Sequence, residues 1–153
     1  MSIIGLISDT HGLVRPEVLS ALQGSDLIVH AGDIGAISVL EALSTIAPVT
    51  AIRGNIDKEQ WALKYPQDAV LEIENRAIYV LHNVHELDLD PVAAGFDVVV
   101  SGHSHKPDVT EKDGVLYVNP GSAGPRRFRL PVAIAKMEVT EHGVSASVTE
   151  IVV

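Results

Sequence analysis

Short apolar runs along this chain are separated by polar breaks rich in Gly, Asp and Asn. Ile3 to Ile7 is apolar throughout except for Gly5, the pattern of a strand buried on both faces. Pro16 to Gln23 reads as a helix, with Pro at its first position and Gly24 just past its end. Leu27-Ile28-Val29 predicts a second strand. Ile37 to Ile46 places Ile37, Leu40 and Leu43 on one side and predicts an amphipathic helix. Val49 to Ile52 predicts a third strand. This β-α-β-α-β order implies a parallel sheet with right-handed crossovers.

The pattern then changes. Asp57-Lys58-Glu59-Gln60 reads as a capping box that opens a short helix through Trp61. Val70 to Ile73 and Ile78 to Leu81 flank Glu74-Asn75-Arg76 as a hairpin. Asp90-Pro91 caps a short helix that ends at Gly95. Val98 to Val100 is a buried strand, and Val115 to Val118, Val132 to Val139 and Val144 to Val153 make the end of the chain strand-rich. Ile151-Val152-Val153 reads as part of the last core strand rather than as an edge that pairs with another subunit. The whole predicts an α/β fold: two mixed β-sheets packed as a sandwich with flanking helices. No linker, low-complexity tract or repeat interrupts it, so residues 1–153 are expected to form a single domain.

Composition narrows the chemistry. The sequence has no Cys, which excludes disulfides and thiolate metal sites and fits a reducing compartment. Any metal must bind through nitrogen and oxygen. The first residues lack a basic leader and no apolar run approaches membrane-spanning length, so the expectation is a cytoplasmic protein with no membrane partner. The formal net charge of −9 disfavours nucleic acid as a partner. It would also repel a phosphate substrate unless positive charge were concentrated locally, as two bound divalent cations would do. Oligomeric state is open, with a homo-oligomer possible.

The polar breaks hold the candidate chemistry: Asp9-Thr10-His11, Gly32-Asp33, Gly54-Asn55, His82 and Gly102-His103-Ser104-His105. Each follows an apolar run, and each offers a side chain that holds divalent metals. Taken singly, Asp9 and Asp33 read as turn residues, and His82 as a hydrogen-bonded structural histidine. His103 and His105, alternating beside Gly after a buried strand, form the most specific element. Together, Asp9, His11, Asp33, Asn55, His82, His103 and His105 suit two ions at strand ends, the usual site location in open α/β sheets. His30, inside a strand, reads as a satisfied core residue, and His85 and His142 have no supporting pattern.

In this order, the motifs Asp-x-His, Gly-Asp, Gly-Asn, His and Gly-His-x-His resemble the calcineurin-like metallophosphoesterase superfamily. The short chain and the tail Asn119-Pro120-Gly121-Ser122 with Pro125-Arg126 look like its small, single-domain prokaryotic phosphodiesterase branch. The resemblance covers residues 3 to about 129. It implies that Asp9, His11, Asp33 and His105 hold one metal and that Asp33, Asn55, His82 and His103 hold the other. Asp33 would be the bridge, and Asp33, Asn55 and His103 would occupy the catalytic positions. Two divalent ions are implied, manganese foremost, with Ni, Co, Fe or Zn as alternatives. A hydroxide between such ions would attack a small-molecule phosphate ester. A phosphodiester is favoured over a monoester, and a non-catalytic scaffold on the same fold is the other alternative. Two positions depart from the superfamily. Ile56 stands where larger members carry an acid histidine, and Asn83 stands where Gly often follows the histidine. Arg126, Arg127 and Arg129 form the densest basic cluster, and Arg126 either contacts phosphate or holds the Asn119–Ser122 turn.

Overall fold

Ten strands form two five-stranded sheets in the computed structural model, which describes residues 1–153. The first sheet contains β1 (Ser2–Ile7), β2 (Leu27–His30), β3 (Val49–Ala51), β9 (Ala133–Thr140) and β10 (Gly143–Glu150) in the order β10-β9-β1-β2-β3. β1, β2 and β3 run parallel, and β9 pairs antiparallel with β1 and β10. The second sheet contains β4 (Asp68–Ile73), β5 (Arg76–Leu81), β6 (Val98–Val100), β7 (Asp108–Lys112) and β8 (Val115–Asn119) in the order β4-β5-β6-β8-β7. Its three central strands are parallel and its two edges antiparallel.

The strands that read as continuous apolar runs are central, because they must be apolar on both faces. One face of β1, β2, β5 and β6 fills the space between the sheets with Ile4, Leu6, Val29, Ile78, Val80, Val98 and Val100, joined by Met137 and Val139 of β9. On the far side of the first sheet, Ile7 and Ile28 pack under α1 (Pro16–Ala21) and α2 (Ile37–Ser44) through Val18, Leu22, Val39, Leu40 and Leu43. On the far side of the second sheet, Tyr79, Leu81 and Val99 are covered by Val84, Leu87, Leu89 and Phe96 around α3 (Pro91–Ala94). The layering is the predicted sandwich with flanking helices. No helix is long and apolar enough to cross a membrane.

Four local expectations are corrected. Ile37 lies at the exposed margin of α2, and Val39 takes its place on the buried stripe beside Leu40 and Leu43. β7 was not anticipated: its sequence, Asp-Val-Thr-Glu-Lys, is polar because an edge strand needs only one inward residue, and Val109 supplies it. Ile151-Val152-Val153 do not continue the last strand. β10 stops at Glu150, Ile151 turns under the first sheet with its N–H on the Val132 carbonyl at 2.7 Å, and Val152 and Val153 are exposed. Asp57 caps no helix. The 3-10 turn Gln60–Lys64 begins after Glu59 without a side-chain cap, and the Asp57 carboxylate serves elsewhere.

Candidate metal centre

Every candidate ligand lies just past the carboxyl end of a parallel strand. Asp9 and His11 follow β1, Asp33 follows β2, Asn55 follows β3, His82 follows β5, and His103 and His105 follow β6. Because β1, β2 and β3 share a direction, as do β5 and β6, both sheets deliver their strand ends to one side of the molecule. Five of the seven residues have left-handed backbones: Asp9 (φ 55°), His11 (48°), Asp33 (56°), His103 (71°) and His105 (62°). Each costs on the order of 1 kcal/mol or more for a residue other than Gly. Glu74, Asn75 and Asp113 owe the same conformation to hairpin turns, whereas these five lie in loops with no hairpin to make, a concentration of strain that fits a functional site.

The side chains converge. Asp9, His11 and His105 offer ligand atoms within 4.8 Å of one another, and so do Asp9, Asp33 and His82. His82 Nε2 lies 3.3 Å from Asp33 Oδ2 and 3.8 Å from Asp9 Oδ1, while His11 Nε2 lies 3.8 Å from Asp33 Oδ2. His105 Nε2 is 3.4 Å from Asp9 Oδ1. The Asn55 side-chain nitrogen lies 3.3 Å from His103 Nδ1, and the His82 and His103 rings are 5.2 Å apart, edge to face. Asp9, Asp33, His82 and His105 are buried, whereas Asn55 and His103 stand at the open rim.

A network of bonds holds these groups in place. Asp9 Oδ2 accepts from the Ser8 hydroxyl at 2.7 Å and from the His103 N–H at 3.0 Å, which leaves Oδ1 facing the histidines. Asp33 Oδ1 accepts the Ile56 N–H at 3.2 Å, which leaves Oδ2 facing them. His82 Nδ1 donates to the Ala31 carbonyl at 2.8 Å, so its Nε2 carries the free lone pair, the arrangement that orients a metal-bound imidazole. The Asp57 carboxylate is buried and accepts three backbone N–H groups, from Ile34 (3.0 Å), Gly35 (3.0 Å) and Gly54 (2.9 Å). It ties the Asp33 loop to the Asn55 loop. His30 is the satisfied core histidine expected: Nδ1 accepts the Gly32 N–H, so Nε2 carries the proton and donates to the Thr10 hydroxyl, which donates to the Ile34 carbonyl. That chain fixes Thr10 between Asp9 and His11.

Electrostatics separate the two carboxylates. Burial raises the Asp9 pKa above the ordinary value, against the pull of Ser8, His82 and His105. Burial acts the same way on Asp33, but the close approach of His82, the Ile56 N–H and His11 outweigh it and hold Asp33 at about 2. Burial pulls His82 down, and the adjacent Asp33 carboxylate, the bond to Ala31 and the Asp9 carboxylate more than reverse that. His105 is lowered, chiefly by burial. His30, fully enclosed, falls to about 4 for the same reason.

The donor set suits divalent transition metals. Five buried side-chain nitrogen or oxygen atoms have no hydrogen-bond partner, and four of them are Asp9 Oδ1, His11 Nε2, His82 Nε2 and His105 Nδ1. Buried polar atoms are almost always satisfied, so Asp9 Oδ1, His11 Nε2 and His82 Nε2, orphaned together in one cluster of carboxylate and imidazole donors that His105 Nε2 completes, fit a cation. The arginines divide differently from expectation. Arg126 does not reach the Asn119–Ser122 turn, and its Nε donates to the Leu130 carbonyl at 3.3 Å. Arg15 is the one that secures the following loop, donating to the carbonyls of Ala123 (3.1 Å) and Gly124 (2.8 Å). His142 sits on the surface beside Glu141, and His85 is exposed.

Comparison with known proteins places this geometry. The sequence profile of the Calcineurin-like phosphoesterase superfamily domain matches residues 1–142. A probable metallophosphoesterase from Methanothermobacter thermautotrophicus is 35% identical over 132 residues, 78% of this chain and 76% of the relative. Among solved structures, an archaeal phosphodiesterase superposes with a TM-score of 0.80 at 23% identity, covering 96% of this chain and 99% of the other. Vps29 from Chaetomium thermophilum superposes with a TM-score of 0.78 at 18% identity, covering 98% and 96%. At those identities the two structures speak for the fold alone.

Proposed function

The chain belongs to the calcineurin-like phosphoesterase superfamily, and from that premise we propose that it is a divalent-metal-dependent phosphodiesterase acting on small-molecule phosphate esters. The observation that carries the reading is the cluster of unpartnered donor atoms on Asp9, His11 and His82, with His105 Nε2 beside them. Asp9, His11, Asp33 and His105 would hold one ion, and Asp33, Asn55, His82 and His103 the other. Asp33 suits the bridging place because its Oδ2 faces His11 on one side and His82 on the other. Two ions bound there, manganese foremost, would supply Lewis acidity and lower the pKa of bound water toward about 7.

The protein's own groups do the rest. Asp33, ionised well below neutrality, brings a fixed negative charge that draws cations into an otherwise crowded imidazole cluster. The Ala31 carbonyl holds the His82 tautomer. Asn55 and His103, at the rim, are placed to meet the ester as it enters. Ile56 contributes only its backbone N–H, to Asp33, so no side chain at that position can protonate a departing alcohol. This favours diesters with acidic leaving groups. The similarity to Vps29 keeps a scaffold role as the second reading, but every donor that such a role could have discarded is retained here.

The test is hydrolysis of bis(p-nitrophenyl) phosphate and p-nitrophenyl phosphate by chelator-stripped protein, before and after Mn²⁺, beside Asp33→Ala. Manganese-restored diester cleavage that disappears in the variant supports the proposal. Cleavage of the monoester alone would make the protein a phosphatase. Folded protein that binds no first-row divalent ion and cleaves neither ester would make it a scaffold.

A further inference from the structure

Of the five buried side-chain atoms without a hydrogen-bond partner, the one outside the ligand set is Nε of Arg53. Arg53 lies between β3 and the Gly54-Asn55 turn. Its backbone is fixed, since its N–H donates to the Pro66 carbonyl at 2.8 Å. Its guanidinium is not: Arg76, bonded to Asp97, is the one arginine that enters an ion pair. Yet Arg53 lines a polar cavity of about 260 Å³ together with Asp68, Glu86 and Asp88. A half-buried arginine that forms no ion pair with the carboxylates sharing its cavity is placed for a partner from outside the protein.

The cavity says where that partner sits. Two candidate ligands, Asn55 and His82, line it as well. A second polar cavity, of about 400 Å³, shares Arg53, Gly54 and Asn55. Arg53 therefore stands where both cavities meet the rim of the metal centre. An ester with its phosphorus at that centre would extend one substituent past Asn55 and His82 toward the guanidinium. Of the donors that line the smaller cavity, Arg53 is the only one with a fixed positive charge; Gln67 and Asn83 offer neutral amide N–H groups. Ile56 has no proton to give. The Tyr79 hydroxyl donates to Asp68 at 2.6 Å, and burial together with that bond pushes its pKa up to about 12.

We propose that Arg53 is a catalytic residue on the leaving-group side, standing in for the acid that position 56 lacks. The inference rests on the phosphodiesterase reading. A water-derived oxygen attacks phosphorus, the bond from phosphorus to the ester oxygen breaks, and its electron pair stays on that oxygen. The guanidinium donates a hydrogen bond to the developing oxyanion and keeps its own proton, being far too basic to transfer it. The departing alkoxide or phenoxide then takes its proton from solvent water. Arg53 stabilises charge rather than neutralising it, so its contribution grows as the leaving alcohol becomes less acidic.

The experiment uses the Mn²⁺-loaded protein and four methyl aryl phosphates with 4-nitrophenyl, 3-nitrophenyl, 4-chlorophenyl and phenyl leaving groups. Arg53→Ala should lower kcat by about 100-fold for a mid-series ester, the usual cost of removing one oxyanion donor. The loss should widen steadily from 4-nitrophenyl to phenyl, steepening the dependence of rate on leaving-group pKa. Arg53→Lys should recover part of the loss and part of the slope. Calorimetric titration with Mn²⁺ should give the wild-type stoichiometry in both variants, which places the loss on the substrate side. Should the alanine variant fold poorly, the slope in Arg53→Lys and Arg53→Gln carries the same test. An equal loss across the four esters, or none, overturns the role of Arg53 while leaving the phosphodiesterase intact. Wild-type protein that cleaves none of the four overturns both.

Discussion

Replacing Asp57 by Ala should cost this protein more stability than almost any other single polar substitution. The carboxylate is buried and accepts N–H groups from Ile34, Gly35 and Gly54 at 2.9 to 3.0 Å. A hydrogen bond to a charged group contributes about 1.5–3 kcal/mol net, and three would sum to about 4.5–9 kcal/mol if they were independent. They are not, because one carboxylate serves all three and water would enter the space left by alanine. A loss of about 4 kcal/mol is the reasoned figure. In a domain of this size each kcal/mol moves the melting temperature by about 2–4 °C, so the midpoint should fall by about 8–16 °C. Asp57→Asn should fall in between: its carbonyl oxygen accepts up to two of the N–H groups, while its NH₂ meets the third donor head-on.

The assay is urea and thermal unfolding in the presence of a chelator, so that altered metal binding does not enter the midpoint. The urea m-value should stay constant, because the surface exposed on unfolding is the same. Calorimetry with Mn²⁺ should then show affinity lowered by about 10- to 100-fold, the usual effect of losing an outer partner of a ligand, since Asp57 ties the Asp33 loop to the Asn55 loop. A melting shift below about 3 °C in Asp57→Ala would refute the reasoning. So would an asparagine variant less stable than the alanine one.

Two further outcomes are expected. His30 has a folded pKa of about 4 against an ordinary 6.5, so the unfolded chain takes the proton first as pH falls; stability drops by about 1.4 kcal/mol per unit below 6.5, up to about 3 kcal/mol near pH 4. His30→Gln cannot titrate, so urea unfolding from pH 7 to 4 should show the wild-type advantage over the variant shrinking, and parallel curves would reject the assignment. Gly54→Ala would drive its Cβ into the Asp33 backbone nitrogen and Oδ1; calorimetry should show weakened Mn²⁺ binding, with about 1–3 kcal/mol of lost stability from overpacking.

The layered fold was legible because central strands of a two-faced sheet leave no polar position, and Ile3–Ile7, Leu27–Val29, Ile78–Leu81 and Val98–Val100 obey that rule. The candidate ligand loops were legible for a related reason: an Asp, Asn or His within a few residues of an apolar run stands out. β7 left a weaker trace. Asp113-Gly114, a two-residue loop with both residues at positive φ, joins it to β8, and that dipeptide is a hairpin signal that its polar flanks obscured. Asp57 was misread because the capping box is a local pattern, whereas its three donors come from positions 34, 35 and 54 and meet only in the fold. Arg15 and Arg53 were passed over because an arginine takes its role from its neighbours in space. The left-handed backbones at Asp9, His11, Asp33, His103 and His105 have no sequence signature, since none of these residues is Gly.

The glycines that precede the ligands have a reason that lies across the site rather than along the chain. A Cβ on Gly102 would strike the Ser8 hydroxyl and stand 2.6 Å from Asp9 Oδ2, the atom that accepts the His103 N–H. A Cβ on Gly54 would collide with Asp33, and one on Gly32 would lie 2.7 Å from His82 Nδ1 and 2.9 Å from the Gly54 nitrogen. Neither Gly54 nor Gly102 has a positive φ, so turn geometry does not require Gly at either position. Space does. Each ligand loop closes on the glycine of another: β1's loop on Gly102, β2's on Gly54, and His82 on Gly32. Strand ends about 4.7–4.9 Å apart within a sheet cannot bring carboxylate and imidazole ligand atoms within 4.8 Å of one another unless the intervening backbones carry no side chains. The Gly-Asp, Gly-Asn and Gly-His pairs are thus one interlocked packing solution, in which the second residue supplies the donor and the first makes room for a neighbouring one.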